Sequence, residues 1–323
     1  MKTLAAAILA ATLALPALAV TADPPAPTEA AQPAKPKLYD EKADVRRLIA
    51  DAVKKAKANN QRVLVQWGGN WCGWCIRLQD CMTKDRDIAK TLQYEYVVVH
   101  ADCGVPNGKN IDLAESHGAD VKTHGFPFLT VLDGEGKAVA NQDTGSLEDG
   151  DHHDTAKVLA FLKQHAAPPQ DASAVLVDAQ KAAASSGRPV LVRFGAPWCG
   201  WCHRMDDWLA RPEVAKLIDK AYVSVKIDVD RMTGGADVLK SLRPSNRGGI
   251  PWFAVLGADG KATVTSDDDK GDNVGFPVEA AEIEHFRKML DRSATKLSEA
   301  ERAELTESLK ANAERLKARP GAH

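Results

Sequence analysis

The pentapeptide Trp-Cys-Gly-Trp-Cys occurs twice, at Trp71–Cys75 and Trp198–Cys202, and the chain around each copy repeats with it. Ahead of the first copy, Val45, Leu48, Ile49, Val53 and Ala56 recur at helical spacing, and Arg62-Val63-Leu64-Val65-Gln66-Trp67 reads as a short strand rich in β-branched residues. The same opening returns 127 residues on, counted from Cys72 to Cys199: a helical stretch from Ala174 to Ser185, then the strand Pro189-Val190-Leu191-Val192-Arg193-Phe194. Downstream, Tyr96-Val97-Val98-Val99 matches Tyr222-Val223-Ser224-Val225, and Gly125-Phe126-Pro127-Phe128 matches Gly249-Ile250-Pro251-Trp252. Turn signals at Asp133-Gly134-Glu135-Gly136 and Ala258-Asp259-Gly260 then precede a short strand and a closing helix, near 154–165 and 278–292. Each copy therefore predicts the order helix, strand, cysteine-bearing helix, strand, helix, strand, strand, helix, an α/β unit with a mixed central sheet flanked by helices.

A chain of 323 residues with 44% hydrophobic content accommodates two such units. Residues 40–166 and 170–295 are the expected domains, joined by the short, stiff linker Ala166-Ala167-Pro168-Pro169. Beyond them, a 296–323 extension carries the capping-box pair Ser298 and Glu301 with Leu305, Leu309 and Leu316, which predicts one extra helix covering the second domain. At the other end, Lys2, an apolar run from Leu4 to Leu15, and Pro16-Ala17-Leu18-Ala19 read as a signal peptide over residues 1–19. The Ala/Pro-rich residues 20–38 read as a flexible lead, with the fold starting near Asp40. The mature chain is accordingly expected to be secreted, periplasmic in a Gram-negative host, with no membrane insertion. A formal net charge of −2 supplies no field to attract a polyanion, so no nucleic-acid partner is expected.

The chemistry follows from where the cysteines sit. A helix N-terminus lowers the first thiol of a Cys-x-x-Cys pair from about 8.5 toward ~3.5–7.5, and the second thiol lies one turn later within bonding reach. Both pairs follow a strand and open a helix, which casts Cys72 and Cys199 as nucleophiles and Cys75 and Cys202 as the thiols that resolve the mixed disulfides. Trp74 and Trp201, between the cysteines, are expected to be exposed and to form an apolar docking surface for unfolded or peptide-like substrates.

A strand feeding Trp-Cys-Gly-x-Cys, followed by Gly-Phe-Pro or Gly-Ile-Pro opening a later strand, resembles the thioredoxin superfamily over nearly the whole mature chain. The resemblance implies tandem thioredoxin-like domains and thiol-disulfide oxidoreductase activity, as reductase or isomerase, on protein or peptide disulfides and thiols. No cofactor is implied, and reductase work would require an electron-donating membrane partner. It also implies that Pro127 and Pro251 are cis and face the disulfides, and that these prolines with Phe126, Ile250, Trp71 and Trp198 contact substrate. For Trp71 and Trp198 a packing role stands beside that one.

Two departures qualify the resemblance. Six residues before the leading cysteine the family carries a buried aspartate that assists the resolving thiol, whereas this chain has Gln66 and Arg193. The dipeptide between the cysteines is Gly-Trp rather than Gly-Pro, so the direction of electron flow is not readable. Cys81 and Cys103 occur only in the first copy, their places taken by Trp208 and Val229 in the second. Cysteines gained together in an oxidising compartment point to a structural disulfide; two separate buried thiols, or a relay thiol near the active pair, are the other readings. Rival classes are a c-type haem attached through Cys199, Cys202 and His203, and a redox-inert module that keeps only the fold. The absence of a histidine at Ile76 argues against haem, and the intact cysteines and prolines of both copies argue against the inert module. No metal site is expected: a zinc site would have to join pairs from separate repeats, His100, His117 and His124 show no ligand spacing, and His152-His153, within the acidic Glu148-Asp149-Gly150-Asp151 turn, read as part of a solvated turn.

Overall fold

The computed structural model describes residues 37–104, 108–243 and 247–318, so the expected signal peptide and nearly all of the expected lead lie outside the described residues. The first repeat runs α1 (Val45–Ala58), β1 (Arg62–Gly68), α2 (Gly73–Lys84), α3 (Arg86–Glu95), β2 (Tyr96–Asp102), α4 (Ile111–Ser116), α5 (Val121–His124), β3 (Phe128–Leu132) and β4 (Ala138–Asp143). A two-residue hairpin, β5 (Glu148–Asp149) and β6 (His152–His153), and α6 (Thr155–Gln164) close it. The second runs α7 (Ala172–Ser186), β7 (Val190–Gly195), α8 (Gly200–Leu209), α9 (Pro212–Ala221), β8 (Val223–Asp228), α10 (Gly235–Leu242), β9 (Trp252–Leu256), β10 (Ala262–Thr265) and α11 (Ala280–Ser293), and α12 (Glu299–Lys317) follows.

Each sheet has the same plan. β1 lies between a parallel β2 and an antiparallel β3, with β4 at the far edge, and β7 sits likewise among β8, β9 and β10. Alternation along the central strand splits the core into two layers. Val63, Val65 and Trp67 pack with Val45, Ile49, Ala52 and Ala56 of α1, while Leu64 faces Leu78, Met82 and Ile88 of α2 and α3. Gln66 shares the face of Leu64, and Arg193 shares that of Leu191, so both point toward the helix that bears the cysteines.

The helix after each redox motif is broken in two, where the sequence predicts one. Asp85 ends α2 and starts α3, its carboxylate accepting from the Asp87 and Ile88 amides, and Pro212 occupies the first turn of α9, where a missing N–H costs nothing. α12 starts at Ser298 with its capping box formed, and its Leu305 and Leu309 are fully buried against the second core. Each such side chain contributes roughly 1.5–3 kcal/mol by leaving water.

The repeats are tied to each other by polar contacts. Arg231 reaches from the turn after β8 to the Glu95 carboxylate, at 2.7 Å through Nη2, and donates to the carbonyls of Asn59 and Asn60. Lys226 Nζ donates to Asn59 Oδ1 at 2.6 Å, and Asn60 Nδ2 donates to the Pro168 carbonyl in the linker.

Candidate functional site

Both cysteine pairs are disulfides at the start of a helix, Cys72–Cys75 on α2 and Cys199–Cys202 on α8. In each the first cysteine is the N-cap: its sulfur accepts the amide of the second at 3.1 Å, so the group that becomes a thiolate on reduction already faces the helix N-terminus. The sulfurs are little exposed, with Cys72 at 6% and Cys199 at 4%, whereas the tryptophans beside them, Trp71 at 50% and Trp198 at 55%, stand out into solvent. That contrast gives each centre an apolar rim around a shielded sulfur. Trp201 is exposed as expected, with the Arg204 guanidinium 4.3 Å above its ring. Trp74 is half-buried instead, because His153 of the β5–β6 hairpin packs edge-on against it at 5.3 Å while Arg77 covers it at 4.7 Å. His152-His153, read from sequence as part of a solvated turn, therefore supplies a wall beside the first centre; burial first, then His152 and Arg77, hold the His153 ring below its usual pKa.

The Phe126–Pro127 and Ile250–Pro251 peptide bonds are cis and lie across the disulfides. Phe126 packs on the Cys72–Cys75 cluster and meets Trp71 edge-on at 5.6 Å, and the Ile250 carbonyl lies 3.6 Å from Cys199 Sγ. Pro127 and Pro251 are both buried. The structure thus gathers Trp71, Cys72, Trp74, Cys75, Phe126 and Pro127 at one centre, and Trp198, Cys199, Trp201, Cys202, Ile250 and Pro251 at the other.

Cys81 and Cys103 are both free thiols, which corrects the expected structural disulfide. Cys103 lies in the layer between the sheet and α1, whereas Cys81, on α2, packs in the opposite layer, so the sheet stands between them. Strand parity carried this signal, since Cys103 continues the buried side of Val99 and Ala101. Burial pushes the Cys103 thiol up to about 12, and burial, with Asp85 and Asp154 adding to it, also raises Cys81; neither has the depressed pKa of a reactive thiol.

Behind the sulfurs lie residues the sequence left unassigned. Tyr39, which lies between the expected lead and the expected start of the fold and was given no role, is fully buried against Cys72 and Cys75. Its hydroxyl accepts from Gln66 Nε2 at 2.8 Å, and Gln66 also donates to the Cys75 carbonyl at 3.1 Å. Burial pushes the Tyr39 hydroxyl pKa up, and the Gln66 hydrogen bond only partly offsets this. A side chain on Gly68 would strike Cys75 Sγ at 2.4 Å and Tyr39 Oη at 2.7 Å, so only glycine lets β1 pass so close to the disulfide. In the second repeat Arg193 Nη1 pairs with Asp206 Oδ1 at 2.5 Å, and Lys226 Nζ with Asp206 Oδ2 at 2.5 Å. His203, part of the haem-like signature, has its Nε2 2.7 Å from the Pro197 carbonyl at the base of the same loop. Among the described residues no cluster of three His, Cys, Asp or Glu side chains forms a metal-ligating group.

The thioredoxin-like family model matches residues 44–134 and 171–258, one region per repeat and more than half of the chain together. Among named proteins, the chain is 24% identical over 214 residues to protein disulfide-isomerase erp38 of Neurospora crassa, covering 64% of this chain and 53% of that one. It is 26% identical over 118 residues to disulfide bond reductase DsbH of Chlamydia pneumoniae, covering 35% of this chain and 70% of that one. It spans about half the length of the Neurospora isomerase and of protein disulfide-isomerase 1 of Dictyostelium discoideum, at 53% and 54%. Among solved structures, a disulphide isomerase from Xylella fastidiosa Temecula1 aligns at 24% identity and a TM-score of 0.37, over 41% of this chain and 98% of that one.

Proposed function

Because the chain belongs to the thioredoxin-like family, we propose that it is an extracytoplasmic thiol-disulfide oxidoreductase with two working centres, reducing or isomerising disulfides of proteins or peptides. One observation carries the reading: in both repeats the leading cysteine is the N-cap of its helix, with a buried partner one turn on and a cis-proline segment across the pair. The relatives named as disulfide isomerases and a disulfide reductase support the same chemistry.

In the reductive direction, the Cys72 or Cys199 thiolate attacks a substrate sulfur, the substrate disulfide breaks, and one substrate thiolate leaves. Cys75 or Cys202, losing its proton, then attacks the mixed disulfide and frees the second substrate thiol. Two electrons pass to substrate and the CxxC pair becomes a disulfide. Trp71, Trp74, Phe126 and Pro127 on one side, and Trp198, Trp201, Ile250 and Pro251 on the other, are the proposed contacts for an extended substrate segment. The export reading rests on the Lys2 to Ala19 leader, and in an oxidising compartment sustained reduction calls for an electron-donating membrane partner. Residues 40–166 and 170–295 are the proposed domains, with 296–323 as an extension of the second.

Insulin-type disulfide reduction by the full chain, with Cys72→Ser, Cys199→Ser and the double variant, tests the reading. Each single variant should lose the contribution of one centre and the double variant should lose activity altogether; activity unchanged in the double variant refutes the proposal.

A further inference from the structure

The two centres share one frame of tryptophan, N-capping cysteine and cis-proline segment, and they differ in charge one layer below. Strand register pairs Gln66 with His100 in the first repeat and Arg193 with Lys226 in the second. The third member is Gln79 on α2 in the first and Asp206 on α8 in the second, at the same distance from the leading cysteine. The first set is neutral: His100 Nε2 and Gln79 Oε1 lie 3.0 Å apart, and burial pushes the histidine down to about 4. The second set holds two cations and one anion. Burial raises the Asp206 carboxyl, yet Arg193 and Lys226 more than offset this and hold it below the usual carboxylate range, so near neutral pH the set carries net charge of one positive unit. A side chain on Gly195 would meet Cys202 Sγ at 3.2 Å and Lys226 Cε at 3.7 Å, which places the lysine stem and the resolving sulfur against the same backbone atom.

We infer that Cys199–Cys202 is the more oxidising of the two pairs, because the Arg193–Asp206–Lys226 set favours its reduced form where Gln66, Gln79 and His100 give the first pair no such field. The inference rests on both pairs being redox-active. Reduction breaks the S–S bond and adds two electrons with up to two protons; whatever thiolate remains is an anion, and a nearby positive charge stabilises it while leaving the neutral disulfide unaffected. Electrons equilibrated between the two centres through a shared dithiol therefore collect on the second.

The other charges nearby largely cancel in the comparison. Asp102 and Asp228 end β2 and β8 at equivalent places, and Arg77 and Arg204 sit over equivalent tryptophans. Two groups oppose the trend. Asp230 accepts from Trp198 Nε1 at 2.8 Å beside the second centre, but it is exposed and screened. Lys109, half exposed, approaches Asp102 at 3.9 Å near the first. Arg231 is committed to Glu95, and Tyr39 and Cys103 are neutral. One unit charge at about 7 Å shifts an equilibrium by about three- to fiftyfold as the effective dielectric runs from about 80 to about 20. A cavity of about 400 Å³, lined by Lys55 and Asn59 of the first repeat and by Arg193, His203, Asp206 and Lys226 of the second, brings solvent to the charged set and favours the lower part of that range.

The test equilibrates the full chain in dithiothreitol redox buffers, quenches it by alkylation and weighs the peptide bearing each pair. Cys199–Cys202 should reach half-reduction in a buffer about three- to tenfold less reducing than Cys72–Cys75 requires, tenfold being about 30 mV for two electrons. Lys226→Gln should remove most of the gap and Lys226→Arg should keep it. Should Lys226→Gln fail to fold, the reciprocal change in the first repeat, Gln66→Arg with Gln79→Asp and His100→Lys, should move Cys72–Cys75 toward the second pair. Equal or reversed midpoints in the native chain, or a gap that folded Lys226→Gln leaves intact, overturn the inference. A chain in which neither pair exchanges with the buffer overturns the redox reading itself, a result distinct from equal midpoints.

Discussion

Cys81 and Trp208 occupy the same place in α2 and α8, facing away from the disulfide, and they differ because different things cover them. In the first repeat the β5–β6 hairpin folds over this region, and the Cys81 thiol lies 3.9 Å from the His153 carbonyl. In the second, α12 provides a deep apolar seat in which Trp208 is 1% exposed, meets Phe286 edge-on at 5.8 Å, and donates through Nε1 to Ser308 Oγ at 3.1 Å. The residue at this position thus reports what the repeat has gained beyond the shared fold: a hairpin that braces Trp74 in one, a helix that thickens the core in the other. Trp208→Ala should break the comparison most, costing about 3–5 kcal/mol of stability, because the cavity it leaves is bounded by two helices and the sheet. Cys81→Ala should cost under about 1 kcal/mol. Denaturant unfolding of the two variants side by side measures the difference, and equal costs would mean that α12 adds no real core.

Acid should separate the repeats next. His100 is held near 4 in the folded chain against 6.5 when free, so the unfolded chain binds the extra proton first as pH falls. The sign is unfavourable: stability is intact above pH 6.5 and declines between 6.5 and 4, by up to about 3 kcal/mol for a shift of that size. Asp206 has the same sign in a lower window, since its folded pKa lies below its ordinary 3.8; its contribution persists from pH 6.5 to 4 and fades only at lower pH. Urea midpoints taken from pH 7 to pH 4 should therefore fall in the native chain and fall less in His100→Gln, while Asp206→Asn should leave the slope in that window unchanged. A His100→Gln slope identical to the native one would show that the ring does not carry the acid sensitivity.

What the sequence disclosed and what it hid divide along a physical line. The repeat, the strand-to-helix setting of Cys72 and Cys199, and the Phe126-Pro127 and Ile250-Pro251 segments are all contiguous patterns, and periodicity or motif spacing reports them. The sets behind the sulfurs are contiguous nowhere: Arg193, Asp206 and Lys226 come from a strand, a helix and a second strand, and meet only because β7 and β8 pair in register. Tyr39 was hidden for another reason, being one aromatic at the edge of an Ala/Pro-rich stretch with no period to announce it. The Cys81–Cys103 bridge was expected from co-occurrence alone, and strand parity, which places them in opposite layers, was the stronger signal.

The junction between repeats favours the second centre. Asp230 binds Trp198 Nε1 and the Tyr94 hydroxyl of the first repeat at once, and Lys226 is steadied by Asn59; no comparable contact runs from the second repeat to Cys72 or Trp71 among the described residues. Arg231 holds this junction with its side chain 7% exposed, against a Glu95 that keeps 24%. Its removal leaves a carboxylate and two carbonyls partly desolvated, a loss of about 2–3 kcal/mol, below the roughly 3–5 kcal/mol of a fully buried pair because Glu95 retains water. Arg231→Ala should therefore loosen the orientation of the repeats in small-angle scattering and shift the midpoint of Cys199–Cys202 while leaving that of Cys72–Cys75 where it was. A shift of both pairs, or of the first alone, would show that the junction does not favour one centre.

Tyr39 gives the first repeat a device the second lacks, since the corresponding position there is Ala166. Its ring fills space behind the disulfide and its hydroxyl takes the Gln66 amide hydrogen bond, in a place where neither group meets water. Tyr39→Phe keeps the ring and removes only that acceptor, so the expected cost is about 1–2 kcal/mol, that of leaving a buried amide N–H unpaired. Tyr39→Phe with Gln66→Leu removes both partners and should recover part of the loss, which a defect of ring packing would not allow. Unfolding measured on the two variants decides it: a double variant less stable than Tyr39→Phe would mean that Gln66 is held in place by its bond to the Cys75 carbonyl, with the tyrosine hydroxyl incidental to it.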